Sequence, residues 1–158
     1  MTKIEHMSEG ERQSWITFLA DGAVLIWFWQ KMTAGFSPQV IEQDMGHFSG
    51  TVLGLIIVTI ILHAVIAAIF EIRKGKDADE TDERDLQIER KGAHWGYRLL
   101  QWGLGGVVVM IFLHHSFGES YAPPFSIQTP VEIIFALLVV SYVADLAKHG
   151  LMILAYRR

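Results

Sequence analysis

Residues 52–70 read VLGLIIVTIILHAVIAAIF, and this stretch decides the fold. A bilayer with a hydrocarbon core about 30 Å thick demands about 20 consecutive apolar residues in a helix. The stretch meets that length, and His63 is its one costly polar side chain. Three further blocks flank it: Trp15–Met32, Trp95–Leu113 and Val131–Ile153. The first is short and carries Asp21. The third opens with Arg98 and Gln101, and the fourth is apolar until Asp145, Lys148 and His149.

The composition agrees with that reading. Of 158 residues, 51% are apolar and 19% charged, against about 25% charged in an ordinary soluble domain. The excess argues against a disordered chain, a nucleic-acid binder and a soluble enzyme. No direct binding of nucleic acid is expected. There are no cysteines, which removes disulfides, zinc-thiolate sites, iron–sulfur clusters and covalent haem attachment. The first dozen residues are polar and of mixed charge, unlike a cleavable signal peptide. The first block is therefore expected to stay as an anchor.

The expected fold class is all-α: one domain, a four-helix transmembrane bundle with both termini cytoplasmic. Charge sets the orientation. Twelve of the thirteen Lys and Arg residues fall in the N-terminal segment, the 71–98 region and the C-terminal end, and only Lys31 falls elsewhere. The positive-inside rule puts those three segments in the cytoplasm of a cell whose inner membrane holds the chain. Tryptophans at 15, 27, 29, 95 and 102 sit toward block ends, as an interfacial belt.

Helix starts are legible. Ser8 with Glu11, and Thr129 with Glu132, have capping-box spacing, and Pro130 suits a first helical position. A short surface helix is expected from about Pro38 to Met45. Asp82 reads as an N-cap for a helix that runs without a breaker into the third block. That helix should project a turn or two beyond the membrane.

The segment Asp82-Glu83-Arg84-Asp85, followed by Ile88 and Lys91-Gly92, with Tyr97 beyond, resembles the marker of a family of small predicted four-span prokaryotic membrane proteins of unknown function. The resemblance covers about a dozen residues and the span layout. It implies no activity and supplies no catalytic residue. It does imply a cytoplasmic interaction motif at Asp82, Glu83, Arg84, Asp85, Ile88 and Lys91. Such proteins resemble membrane partners encoded beside small transcription regulators.

Charges at mid-bilayer cost about 2.5–3.5 kcal/mol on insertion scales, so they turn toward a bundle interior or a wet cavity. Ser14, Phe18, Asp21, Leu25 and Phe28 share one helical stripe. So do His94, Arg98, Gln101, Gly105, Val108, Phe112 and His115. Asp145, Lys148 and His149 lie within one turn. These faces predict a buried polar cluster of Asp21, His63, Arg98, Gln101, Asp145 and His149, able to serve an ion, a solute or a lipid headgroup. A plainer reading pairs Asp145 with Lys148 and lets Arg98 snorkel. His63 and His149 lie at similar depth, so haem b is a further alternative. A second group, His47, His114, His115 and Glu119, is a weak divalent-metal candidate in the outer connections.

No hydrolase, kinase or nucleotide motif is present, and the glycines at 103, 105 and 106 follow no strand. They suit close helix packing, as do Ala64, Ala67 and Ala68. No cofactor is expected on balance. The leading expectation is a non-enzymatic sensor or regulatory partner, surrounded by membrane lipid, forming a homo-oligomer and docking a cytoplasmic protein partner. A transporter or channel-like protein, and a histidine-ligated redox protein, are the alternatives.

Overall fold

The computed structural model describes residues 7–33, 45–74, 83–117, 127 and 129–157. They form four helices: α1 (Glu9–Met32), α2 (Met45–Lys74), α3 (Glu83–Phe117) and α4 (Pro130–Tyr156), with no β-strand among the described residues. α2, α3 and α4 are long and apolar enough to cross a membrane. α1 has the length but falls short in apolarity, because Asp21, Gln30 and Lys31 interrupt it. The expected surface helix at 38–44 and the Asp82 cap lie outside the described residues; Met45 itself opens α2.

The caps behave as their chemistry requires. The Ser8 hydroxyl accepts from the Glu11 N–H at 3.2 Å. At α4 both arms of the capping box form: Glu132 N–H donates to Thr129 Oγ1 at 3.2 Å, and Thr129 N–H donates to Glu132 Oε2 at 2.8 Å. Pro130 occupies the first turn, where its missing N–H costs nothing.

Neighbours run in the order α2, α1, α4, α3. α1 and α3 each run antiparallel to α4, so the start of α1, the start of α3 and the end of α4 share one end. There the Tyr156 hydroxyl and the Asp85 carboxylate both lie against Gly10, close to Ser8. The Arg157 guanidinium stands 5.2 Å over the Trp15 ring. At the opposite end a dry core joins α1, α2 and α4 through Val24, Phe28, Met32, Phe48, Leu55, Val131 and Phe135. Phe28 stacks on Phe135 at 5.5 Å, and Trp29 meets the same ring at 5.3 Å.

α3 meets α4 differently, through a glycine seam. A Cβ on Gly96 would stand 2.9 Å from Lys148 Cβ and 3.3 Å from the Ala144 carbonyl oxygen. One on Gly92 would come within 2.5 Å of Met152 Cγ, and one on Gly103 would overlap Val140. Small residues let two backbones approach until dispersion and weak polar contacts hold them, which is how helices associate without a hydrophobic drive from water. Gly105 and Gly106 meet nothing within 4 Å, and Ala64, Ala67 and Ala68 are exposed, so the small-residue packing expected there is not made among the described residues.

α3 is 35 residues long, or about 52 Å at 1.5 Å per residue. It begins twelve residues before Trp95, so more than three turns of helix precede the apolar block.

Candidate functional site

α1 is one of the two inner helices, and its buried stripe is Ser14, Thr17, Asp21, Val24, Phe28 and Met32. Steps of three and four keep these on one face. Three of the five residues expected on that stripe are there. Phe18 and Leu25 flank it, half-buried. The polar members are Ser14, whose hydroxyl donates to the Gly10 carbonyl at 2.8 Å, then Thr17 and Asp21. Asp21 is only 1% exposed, and neither of its oxygens accepts a hydrogen bond.

The groups nearest Asp21 come from α2 and α4. His63 Nε2 lies 3.4 Å from Asp21 Oδ1. The other ring nitrogen, Nδ1, lies 2.9 Å from the Thr59 carbonyl oxygen one turn earlier. From α4, one oxygen each of Asp21 and Asp145 and one nitrogen of His149 lie within 4.8 Å of one another. Asp145 divides its oxygens: Oδ1 is 3.9 Å from Lys148 Nζ, and Oδ2 is 3.9 Å from His149 Nε2. His149 is buried, and its Nδ1 has no hydrogen-bond partner.

Asp21, His63 and Asp145 border a groove of about 490 Å³ between α2 and α4. Leu55, Ile56 and Ile60 form one wall, Leu138, Ser141 and Tyr142 the other, and Asp21 lies at its base. The Thr59 and Tyr142 hydroxyls hydrogen-bond across it. The result is an apolar cleft with a charged floor, inside helices whose outer faces are apolar.

Four of the six residues expected in the cluster therefore meet: Asp21, His63, Asp145 and His149. Arg98 and Gln101 do not. Both are exposed, on the side of α3 turned away from α4. Arg98 lies 6.0 Å over the Trp95 ring, and Gln101 Nε2 donates to the Tyr97 hydroxyl at 3.0 Å. The whole expected α3 stripe, including Val108 at 64% and Phe112 at 65%, is the outward face. The inward face is Ile88, Gly92, Gly96 and Val107. Lys148 and Tyr142 belong to the site and were not in the expected cluster. Lys148 was read only as a local partner of Asp145, and nothing in the periodicity singles out Tyr142.

The interaction motif splits between two duties. Asp85 touches Tyr156, Ile88 is buried and Gly92 seats against Met152. Glu83, Arg84, Gln87, Glu89, Arg90 and Lys91 are exposed. Asp82 lies outside the described residues. Of the outer histidines, His47 and His115 are exposed and His114 is half-buried; Glu119 also lies outside. Among the described residues, the donor group close enough to hold one ion is Asp21, Asp145 and His149, not the outer set.

No protein-family model matches the chain, and no curated protein and no solved structure matches it.

Proposed function

We propose that this is a non-enzymatic inner-membrane protein of four spans, with both termini cytoplasmic, that binds a cation at the Asp21–Asp145 floor and passes it across the bilayer as a transporter or channel-like homo-oligomer. One observation carries the reading: a carboxylate 1% exposed, with no hydrogen bond to either oxygen, at the base of a groove. A buried charge is retained only where something compensates it. The two aspartates and Lys148 leave the site one positive charge short, which a proton or a bound cation supplies. The shortfall in apolarity of α1 also fits a helix enclosed by its neighbours rather than by lipid. Four helices make a thin wall, and a second copy against α2 and α4 would close the groove.

The test is ion flux in proteoliposomes. Wild-type protein should pass a cation, and Asp21→Asn should cut the rate about tenfold or more, the effect of losing roughly 1.4 kcal/mol of stabilisation. If neither protons, monovalent nor divalent cations cross, the reading fails.

The regulatory reading keeps one specific support. α3 overshoots the apolar block and exposes Glu83, Arg84, Glu89, Arg90 and Lys91. A cytoplasmic protein captured by the wild type and lost on Arg84→Glu with Lys91→Glu would favour it. Retention of every partner by that variant would remove it.

A further inference from the structure

We propose that Asp21, Asp145 and His149, with His63 as the fourth ligand, form a binding site for a divalent transition metal of the zinc type. The inference rests on reading the cluster as a cation site and names the cation.

The tautomer of His63 is the first argument. A carbonyl oxygen only accepts, so the 2.9 Å contact to Thr59 fixes the proton on Nδ1. Nε2 is the ring atom left facing Asp21 Oδ1, 3.4 Å away. A cation between them, a proton on Nε2 or a metal ion, satisfies both atoms. A backbone carbonyl holding the far nitrogen of a histidine is the usual outer support of a metal-ligating imidazole.

Asp145 makes a second carboxylate–imidazole approach, without a carbonyl on the far ring nitrogen. Lys148 stands on Oδ1 and leaves Oδ2 turned toward His149 Nε2 at 3.9 Å. Lys148 thus orients the carboxylate without taking the donor atom. Asp21 supplies the independent observation: it is buried, lines the groove and has no hydrogen-bond donor on either oxygen.

The dimensions and charge agree. Donors in a tetrahedral zinc site stand roughly 3.4 Å apart at bonds of 2.0–2.1 Å. Side-chain rotation is needed to close the gap from 3.9 Å or from the outer limit of 4.8 Å, and His63, 3.4 Å from Asp21 but outside the three-residue set that shares that limit, reaches the ion only by turning toward it. Two carboxylates cancel a divalent charge within a low-dielectric site. Two imidazoles favour zinc-type ions over magnesium or calcium, which prefer all-oxygen shells.

The test is calorimetric titration of Zn²⁺ into the full-length, tag-free protein in detergent micelles. The expected result is one ion per chain, unchanged by a large excess of Mg²⁺. His149→Gln and Asp21→Asn should each weaken binding about tenfold or more. If Asp21→Asn does not fold, His63→Gln replaces it, since that side chain is 42% exposed. Absence of Zn²⁺ binding overturns the proposal. So does binding that survives these substitutions but is lost when His47, His114 and His115 are replaced by alanine. Zn²⁺ binding without flux keeps the metal site and removes the transport reading; monovalent flux without Zn²⁺ binding does the reverse.

Discussion

α4 carries two interfaces of opposite kind. Toward α3 it offers Val140, Ala144, Lys148 and Met152 to three glycines, and the backbones close until a single methyl group would not fit. Toward α1 it offers Phe135 and His149, and the contact is made by side chains of full size, with Asp21 among them. The first interface has no room for chemistry. The second separates the backbones far enough to hold ionisable groups and a groove. Within one helix, residue size decides which face is scaffold and which face is site.

The comparison can be broken most severely at the side-chain interface. Phe28→Ala removes a fully buried ring stacked on Phe135, and large-to-small changes of this kind cost about 3–5 kcal/mol. Thermal unfolding in detergent should show it. Next comes Gly96→Val, which forces groups against Lys148 Cβ and the Ala144 carbonyl; overpacking of this type costs about 1–3 kcal/mol. The same measurement should show α3 released first, as early exchange of amide protons around Gly92 to Gly103.

Smaller effects sharpen the contrast. Tyr142→Phe removes the hydroxyl that bonds Thr59 across the groove and should cost about 0.5–1.5 kcal/mol, read as a lowered midpoint of unfolding. Gly105→Ala, two residues beyond Gly103 but with open space around it, should be neutral or stabilise by up to about 1 kcal/mol. A loss at Gly105 equal to that at Gly96 would mean that both glycines are packed, against this chain or another copy.

The number of helices, the α4 start and the polar residues of α1 were legible in the sequence because each follows from local chemistry. Thr129, Pro130 and Glu132 signal a helix start in any solvent. Asp21 stands out because an apolar block contains little else that is costly. The face of α3 was not legible from hydrophobic periodicity, and the reason is the solvent. In water the apolar stripe points inward; in lipid Val108 and Phe112 are at home on the outside, and the inward stripe is marked by the residues with least side chain. Gly92 and Gly96 carry almost no hydropathic signal, so a search for apolar repeats passes over them. Their spacing of four was the signal that finds the seam. The convergence of His63 on Asp21 was legible only as shared membership of one expected polar cluster, since two helices of known length still leave their rotation open.

Lys148 stands in both interfaces at once. Its Cβ lies where Gly96 must stay small, and its ammonium stands on Asp145. The two interfaces of α4 are therefore not thermodynamically independent. Residues that share a partner couple by about 0.5–3 kcal/mol in double-mutant cycles. A substitution at Gly96 and one at Asp145 should fail to add, although neither side chain needs to touch the other. Tightening or loosening the seam shifts the ammonium, and with it the charge balance at the floor of the groove.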